Sequence, residues 1–507
     1  MILHHRFIEI AKKFAHKTAI DDRMTGKTLT YERTLVAVLI LAKKLRAEKD
    51  TNLGVMIPTS MGAMLTVLAA RFLGKVPVMI NYSTGAEGNC RYAQKTCAFT
   101  TIITSRALLD KIKCPLVPGM ICIEDILASV TTFDKLGALL KAKKSAASLI
   151  AGLPDASPED RVVVLFTSGS EKDPKAVALT NSNIATNLDD ATQVLPISHE
   201  DILCCVLPFF HVFGFTVNLW LPLYLGMTAV TYANPLEYKR VAQIIKACRP
   251  TVMAGTPSFF AGYLRESEKG DFASLRLTIP GADKSPEWLR QAYLEKHGIE
   301  LLEGYGCTET SPIISVNAPQ AKRAGSIGKA FPSVQAKIVD PETGEERKRG
   351  EEGKLLVKGP SIMNGYLDPA ETAQSMKDGW YDTGDMVMID ADGFLWHRGR
   401  YKRFIKVGGE MVSMVKTESV LESMLPDGVE CCVVEALDEF KGSKLVAALS
   451  RPVDEDDLMK KLAAELPPIA IPKKFVVIEE LPKMGSGKID FRTTTVMVRE
   501  ILTGQKT

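Results

Sequence analysis

The sequence predicts a multidomain α/β protein, with a large N-terminal domain of layered α/β subdomains plus a small β unit, and a small α+β C-terminal domain. The chain has 507 residues, more than a single hydrophobic core usually serves. Helical and strand-like apolar patterns alternate up to about residue 320, which is typical of layered α/β structure. From about 325 to 398, short β-branched runs between Gly, Pro and Asp favour an antiparallel unit.

The first predicted elements alternate between helix and strand. Residues 33–48 have the spacing of an amphipathic helix, whose apolar side carries Val36, Leu39, Ile40 and Leu45. Apolar runs then predict a strand at 53–57, a helix at 61–72 and a strand at 76–80. A stretch rich in Lys, Ala, Ser and Pro at 142–158 predicts a surface connection.

The later elements are mostly short strands. Apolar runs predict buried strands at 162–166, 251–255 and 275–279. Within the small β unit, strands are expected at 336–339, 353–357 and 393–396. The last hundred residues predict a further α+β piece.

The bulk composition excludes several classes of protein. The net charge of +3, with 46% hydrophobic and 24% charged residues, is ordinary for a globular protein and argues against nucleic-acid binding. The ten cysteines show no C-x-x-C spacing, so neither a zinc site nor a disulfide framework is expected, and a cytoplasmic location is favoured. The N-terminus has no secretory signal pattern.

One apolar run, at 202–233, is long enough to span a bilayer. It has no Asp, Glu, Lys or Arg, but it is interrupted by Pro208, Gly214, Pro222 and Gly226. Broken apolar runs usually pack inside protein, so a buried core or a lipid-chain pocket is favoured over a span. The mean hydropathy of +0.04 leaves peripheral contact with the inner face of the membrane open.

The segment from Thr167 to Ala176 combines hydroxyls, a glycine and lysines after a predicted strand. Hydroxyls and backbone N–H groups can donate to phosphate oxygens, glycine permits close approach of the backbone, and lysine supplies positive charge. The Walker spacing is absent. The same composition also fits an ordinary surface turn.

Other segments have side chains suited to nucleotide chemistry: an aromatic to stack on a base, carboxylates for ribose or Mg²⁺, and lysine for phosphate. They are 208–214 around His211, 302–309 with Tyr305 and Glu309, 381–385 with Asp385, 408–410, and 485–488 with Lys488. Each has an ordinary alternative as a core, turn, cap or surface residue. Their combination in one chain favours the functional interpretation.

In order and content these segments resemble the adenylate-forming superfamily, which comprises acyl-CoA synthetases, luciferase and peptide-synthetase adenylation domains. The resemblance is closest to the acyl-[acyl-carrier-protein] synthetases, including the synthetase half of the bifunctional 2-acylglycerophosphoethanolamine acyltransferase. The segments that carry it are 166–171, 303–306, 362–367, 379–385 and 409–413.

The resemblance implies an enzyme that activates a fatty acid with ATP and Mg²⁺ and passes the acyl group to a thiol. It implies phosphate binding by Thr167, Ser168, Gly169, Ser170 and Lys175, and an adenine site formed by Gly281, Ala282, Asp283 and Tyr305. It further implies that Thr308 contacts the α-phosphate, Glu309 holds Mg²⁺, Asp385 binds the ribose with Arg400 nearby, and Lys488 bridges carboxylate and α-phosphate.

The resemblance also implies two domain orientations. An N-terminal domain at 1–398 and a mobile C-terminal domain at 404–507 would be joined by a hinge at 399–403, centred on Lys402. Gly408 and Gly409 would let a phosphopantetheine arm pass. The acyl pocket would be lined by Phe213, Gly214, Phe215 and Val217 together with His211, which is also expected among the catalytic residues.

The acceptor thiol belongs either to acyl carrier protein or to coenzyme A. Residues 399–416 hold five basic residues and one acidic residue, a net charge of +4 that could steer an acidic carrier protein. The same charges could meet coenzyme A phosphates or form a solvated face. The closer resemblance favours carrier protein, with a long-chain acyl-CoA ligase as the alternative and a non-catalytic lipid- or nucleotide-binding protein as a third reading.

The predicted phosphate loop departs from the superfamily pattern at Glu171, Lys172 and Ala176. Glu171 is shared with the acyl-carrier-protein synthetases. Fewer glycines should stiffen the loop, and Glu171 needs a nearby cation to be tolerated beside phosphates.

Overall fold

The computed structural model describes residues 1–167, 174–407, 410–426, 428–438, 442–483 and 489–503. Over these residues the α-helices are, in chain order, α1 Leu3–Lys13, α2 Tyr31–Leu45, α3 Met61–Phe72, α4 Ala86–Cys97, α5 Arg106–Ile112, α6 Ile123–Ala128, α7 Thr132–Ala142, α8 Ala146–Ile150, α9 Asn181–Val194, α10 Leu221–Leu225, α11 Tyr238–Cys248, α12 Pro257–Arg265, α13 Glu287–His297, α14 Pro369–Ser375, α15 Met414–Glu422, α16 Glu455–Glu465 and α17 Phe491–Thr503. A π-helix at Gly214–Trp220 and 3₁₀ turns at Thr308–Thr310 and Tyr401–Arg403 accompany them.

The strands are, in chain order, β1 Thr18–Asp22, β2 Lys27–Thr30, β3 Asn52–Met56, β4 Val76–Met79, β5 Ile102–Thr104, β6 Met120–Cys122, β7 Arg161–Phe166, β8 Ala176–Thr180, β9 Ile202–Cys205, β10 Thr228–Thr231, β11 Val252–Gly255, β12 Leu277–Pro280, β13 Gly304–Gly306, β14 Ile313–Val316, β15 Lys329–Ala330, β16 Gln335–Val339, β17 Glu352–Lys358, β18 Met376–Lys377, β19 Trp380–Ile389, β20 Leu395–Arg400, β21 Phe404–Val407, β22 Glu410–Ser413, β23 Cys431–Asp438, β24 Gly442–Leu449 and β25 Lys474–Val477.

The chain forms two compact units whose residue ranges interleave. The first comprises 1–167, 174–335 and 357–381, and the second comprises 336–356 and the described residues from 382 onward. The predicted division into 1–398 and 404–507 with a hinge at 399–403 stays a prediction.

Two large sheets organise the first unit. Their strand orders are β12-β11-β9-β10-β1-β2 and β6-β5-β3-β4-β7-β8. Most neighbouring strands are parallel, with antiparallel pairs at β1·β2 and β7·β8. Continuous apolar runs such as Val162–Leu165 are buried, as expected for strands covered on both faces. The predicted layered α/β architecture is confirmed.

The small β unit and the C-terminal α+β piece are also confirmed. The sheet of the β unit has the order β16-β17-β19-β18, with β20 antiparallel to β19. Further along, β21 pairs with β22, and β23, β24 and β25 form a sheet beside which α15 and α17 pack on β23.

Several local predictions differ from the structure. The helix expected at 33–48 is α2 at 31–45, and the strands expected at 275–279 and 393–396 begin at Leu277 and Leu395. Helix α2 buries Leu39 and Leu45 as expected, but Val36 and Ile40 are only half-buried. The buried side of the helix is shifted by about one position, so that it includes Leu35 instead. The expected surface connection at 142–158 contains α8, which buries Leu149.

The apolar run at 202–233 folds into β9, the π-helix, α10 and β10, and it is largely buried in the first unit. This confirms the prediction of a core segment. Among the described residues, no helix has the length and apolar character needed to cross a membrane.

Candidate active site

Two hydrogen bonds close the base of the predicted phosphate loop. Thr167 follows β7, and Lys175 precedes β8, the antiparallel neighbour of β7. The Thr167 amide donates to the Lys175 carbonyl at 2.9 Å, and the Lys175 amide donates to Thr167 Oγ1 at 3.2 Å. The Thr167 hydroxyl and the Lys175 backbone are therefore held together where the predicted loop begins and ends.

The segment 362–367 lies beside this loop base. The Leu367 amide donates to the Ala176 carbonyl at 2.9 Å, and Tyr366 forms an antiparallel bridge with Val177. At its other end, the Met363 amide donates to the Glu309 carbonyl at 2.8 Å. The segment thus connects the base of the phosphate loop with the turn that carries Glu309.

Tyr366 contacts both predicted charged groups. Its hydroxyl donates to Glu309 Oε1 at 2.7 Å, and Lys175 Nζ lies 4.6 Å from the centre of its ring. A hydrogen bond to a charged acceptor contributes about 1.5–3 kcal/mol, and a cation over an aromatic ring about 0.5–2 kcal/mol. Tyr366 therefore fixes the direction of the carboxylate and one position of the ammonium group.

A second tyrosine supports this arrangement. Tyr381 is buried as well, and the charges of Glu309 and Tyr366 act on its hydroxyl. Burial, followed by the charge of Glu309, raises the pKa of Tyr366, and burial raises the pKa of Tyr381. Both hydroxyls accordingly stay protonated at neutral pH, and Tyr366 remains a donor to the carboxylate.

The predicted adenine residues lie at the end of β12 and within β13. Gly281 comes directly after β12, while Tyr305 lies in β13, where it pairs with Ser315. A Cβ at Gly281 would lie 3.3 Å from both the Gly304 carbonyl oxygen and the Phe213 ring. The structure therefore brings the predicted adenine site and one predicted acyl-pocket residue side by side.

Glu303 holds the connection after β12. Its Oε1 accepts from the Ser285 amide at 2.8 Å, and its Oε2 pairs with Arg290 at 3.2 Å. The loop between carries Ala282 in a left-handed conformation, with φ +68°, and the exposed Asp283. Glu303 thereby fixes the loop that carries three of the predicted adenine residues, Gly281, Ala282 and Asp283.

The turn after β13 places Thr308 and Glu309 in one 3₁₀ turn, with Glu309 buried. The chain reverses tightly here: a Cβ at Gly306 would lie 1.8 Å from the Pro312 carbonyl oxygen, so only glycine fits. Thr308 and Glu309 are therefore adjacent on one rigid support.

The predicted acyl-pocket residues differ in exposure. His211 and Phe213 are half-buried, and the His211 ring lies 4.5 Å from the ring of Phe210. Gly214, Phe215 and Val217 are buried in the π-helix, with Phe215 in edge contact with Trp220. A wide π-turn often occurs at functional sites. A pocket at this helix stays a prediction.

In the second unit, Asp385 is buried between two basic side chains. Its Oδ1 lies 3.0 Å from Arg400 Nε and 3.3 Å from His397 Nε2. Arg400 Nη1 also donates to the Thr383 carbonyl at 3.0 Å. Antiparallel pairing of β19 with β20 places Asp385 opposite Arg400. The ribose-binding role of Asp385 stays a prediction.

Lys402 lies in the 3₁₀ turn between β20 and β21. Its neighbour Arg403 forms an ion pair with Glu418, with 3.1 Å between Nη2 and Oε2. The Cζ atom of Arg403 also lies 3.3 Å from the centre of the Phe491 ring. The chain directly after Lys402 is therefore held, through Arg403, against helices α15 and α17.

The remaining predicted site residues, Ser168, Gly169, Ser170, Gly408, Gly409 and Lys488, lie outside the described residues. Sequence reasoning assigned no role to Tyr366, Tyr381 or His397. Tyr366 and Tyr381 do fall inside segments 362–367 and 379–385, which carry the resemblance, so their position there was the available signal.

Comparison with known proteins identifies the family of the chain. The AMP-binding enzyme family matches residues 7–367, and the AMP-binding enzyme C-terminal domain matches residues 416–488. The first match covers more than half of the chain and includes Lys175, Glu309 and Tyr366.

Curated relatives match over nearly the full length. A long-chain-fatty-acid–CoA ligase of Bacillus subtilis is 30% identical over 94% of this chain and 91% of its own length. The 4-coumarate–CoA ligase 1 of Arabidopsis thaliana is 30% identical over 96% of this chain and 91% of its own length.

Solved structures share the fold. ATP-bound MatB from Rhodopseudomonas palustris superposes with a TM-score of 0.83 at 23% identity, covering 100% of both chains. The Bacillus subtilis o-succinylbenzoate coenzyme A synthetase, solved with ATP and a magnesium ion, gives a TM-score of 0.82 at 23% identity, covering 97% of this chain and 99% of its own. The chain therefore belongs to the AMP-binding enzyme family, within the adenylate-forming superfamily.

Proposed function

We propose that the protein is an AMP-forming fatty acid–thiol ligase. It would condense a fatty acid with ATP to an acyl-adenylate and pyrophosphate, and then transfer the acyl group to a phosphopantetheine thiol. The observation that carries the proposal is the contact of Tyr366 with both Glu309 and Lys175 in a chain of the AMP-binding family.

The residues fit the groups that the reaction needs. Glu309 offers the hard carboxylate oxygen that Mg²⁺ prefers, on a turn held by Met363 and Tyr366. When bound, Mg²⁺ would neutralise charge on the phosphates. Thr167 and Lys175 would bind the phosphate chain, and Thr308 would contact the α-phosphate. Asp385, aligned by Arg400 and His397, would accept hydrogen bonds from the ribose hydroxyls.

The adenylation step joins two anions, the carboxylate and ATP, so it needs a placed cation. We propose that Lys488 bridges the carboxylate and the α-phosphate, and that a second domain orientation about Lys402 then presents Gly408 and Gly409 to the thiol. An ammonium that stabilises charge developing in the transition state raises the rate, whereas one that interacts equally with the ground state does not.

A fatty acid is the proposed acyl substrate. The Bacillus subtilis relative is by name a long-chain-fatty-acid ligase. Half-buried Phe213 lies next to Gly281 of the proposed adenine loop, and the segment that follows it is apolar. We propose that the acyl chain enters on this side.

Acyl carrier protein is the proposed acceptor, and coenzyme A is the second candidate. Segments 166–171 and 362–367 and the +4 charge of 399–416 support carrier protein. The names of the relatives, which are CoA ligases, support coenzyme A. The ten free thiols support a cytoplasmic location for either reaction.

The test is an assay with purified protein, ATP, Mg²⁺, radiolabelled palmitate and either holo-carrier protein or coenzyme A. We expect thioester formation to be faster with carrier protein. Faster formation with coenzyme A would select the second candidate, and no pyrophosphate release with any acid would support a binding protein instead.

Tyr366→Phe should lower the rate of adenylation about tenfold and raise the Mg²⁺ concentration needed for half-maximal rate, because Glu309 loses the hydroxyl that orients it. Isothermal titration calorimetry with Mg²⁺–ATP, in the absence of fatty acid, should show weaker binding to this variant than to the unchanged protein. Tyr224→Phe is the matched control, since its hydroxyl donates to another carboxylate, Asp189, at 2.6 Å. Equal effects of the two variants would contradict the proposed positioning role.

Asp385→Asn should weaken ATP binding at least about tenfold and remove the preference for ATP over 2′,3′-dideoxy-ATP, because an amide is a poorer acceptor for ribose hydroxyls. Asp382→Asn is the control, an acid three residues away that pairs with Lys354 at 2.8 Å. If the Asp385 variant keeps the full preference for ATP, the ribose role is wrong.

A further inference from the structure

Helix α7 packs with its apolar residues facing outward. Its buried positions are Asp134, Ala138 and Ala142, which recur every four residues and so form one stripe. The most exposed apolar side chains are on the opposite side: Phe133 is 84% exposed, Leu136 54%, Leu139 48% and Leu140 59%. Leu127, on the preceding helix α6, is 57% exposed. We call these five residues the α7 patch.

The structure holds α7 firmly in this orientation. Thr131 and Asp134 form a capping box at its start. The buried Asp134 carboxylate accepts from Lys43 at 2.6 Å and pairs with Lys44 at 2.8 Å, both on α2. Turning the helix by half a turn would expose this ion pair. The outward apolar face is therefore a fixed feature of the fold.

Basic side chains border the α7 patch. Lys135, Lys143 and Lys144 are exposed on or directly after the helix. Lys12 donates to the Ala142 carbonyl at the end of the helix. Burial and the nearby charges of Arg46 and Lys144 lower the pKa of Lys141, so cations are crowded there. A surface of this kind attracts an anionic partner.

We propose that the α7 patch docks the protein on an anionic lipid bilayer. A short helix with Phe and Leu on one side and lysines beside them is the pattern of helices that lie in the membrane interface. The apolar side chains would enter the headgroup boundary, and the lysines would meet lipid phosphates. Self-pairing of the patch is less favourable, because it would bring the lysines of two copies together.

This surface is separate from the apolar run at 202–233, the one run in the sequence identified as long enough to span a bilayer. That run is largely buried, whereas the α7 patch is exposed. The docking goes beyond the proposed reaction, although a membrane would also present fatty acid to the enzyme.

The test is co-sedimentation of the purified chain with phosphatidylcholine vesicles that contain or lack phosphatidylglycerol, without ATP or fatty acid. We expect binding only with the anionic lipid, and weaker binding as salt rises. The variant Phe133→Ser, Leu136→Ser, Leu140→Ser should bind at least about tenfold more weakly. The variant Lys135→Glu, Lys143→Glu, Lys144→Glu should lose the preference for anionic lipid.

The control carries Leu236→Ser, Trp288→Ser and Leu294→Ser, which remove three similarly exposed apolar side chains elsewhere. It should bind vesicles like the unchanged protein. Adenylation of soluble octanoate should be equal in all variants, which separates docking from the proposed reaction. Docking is excluded if the unchanged protein does not bind anionic vesicles. It is also excluded if the serine variant binds anionic vesicles as tightly as the unchanged protein.

Discussion

Replacement of Lys488 by alanine is expected to lower acyl-adenylate formation by about 10²–10³-fold, while transfer from preformed acyl-adenylate to the thiol stays within about twofold. The first effect follows from removing the cation that meets charge developing on the α-phosphate. The second follows because thioester formation would use the other domain orientation, in which Gly408 and Gly409 face the thiol.

The two half-reactions are measured separately, by pyrophosphate release and by thioester formation from synthetic palmitoyl-adenylate. Lys460→Ala, an exposed lysine on α16, is the control and should leave both unchanged. Equal loss of both half-reactions in the Lys488 variant would contradict the two-orientation mechanism.

Glu309→Gln is expected to lower adenylation by about 10²–10³-fold, with no recovery at high Mg²⁺, because an amide oxygen is a much poorer ligand than a carboxylate for this cation. The thermal midpoint should change little, since glutamine can still accept from Tyr366. Adenylation is measured over a range of Mg²⁺ concentrations.

Glu300→Gln serves as its control, because this exposed acid, which pairs with Lys322, lies nearby in sequence but outside the proposed site. Near-normal activity of the Glu309 variant at saturating Mg²⁺ would remove Glu309 from the mechanism.

Most helices and strands of the fold were predictable, because the spacing of their apolar residues fits only one type of element. The helix at 61–72 was predicted at its observed ends, where Ser60 caps α3. Prediction was less accurate where tertiary packing determines which face of a helix is buried. In α2 the buried stripe is shifted so that Val36 and Ile40 are half-buried.

Helix α7 shows why pattern alone was insufficient. Phe133, Leu136 and Leu140 have the spacing of a core-facing stripe. The structure instead buries Asp134, because two lysines of α2 neutralise it and small alanines allow close packing. The ion pair joins residues 91 positions apart, so no local pattern indicates it.

The candidate site was predictable where residue type alone suggests chemistry. Residue type marked Lys175, Glu309 and Asp385 as candidates, their roles were implied by the family resemblance, and the structure gives Glu309 and Asp385 oriented partners. Tyr366 was identified only as part of a motif, because its contact with Glu309 spans 57 residues and depends on the pairing of segment 362–367 with β8.

Formation of an acyl-adenylate can be followed through palmitate-dependent exchange of labelled pyrophosphate into ATP. The exchange needs no thiol acceptor, so its outcome is independent of the choice between carrier protein and coenzyme A. We predict exchange that requires both palmitate and Mg²⁺ and is lost in Lys488→Ala and Glu309→Gln. Absence of exchange with palmitate and with shorter fatty acids would contradict the account.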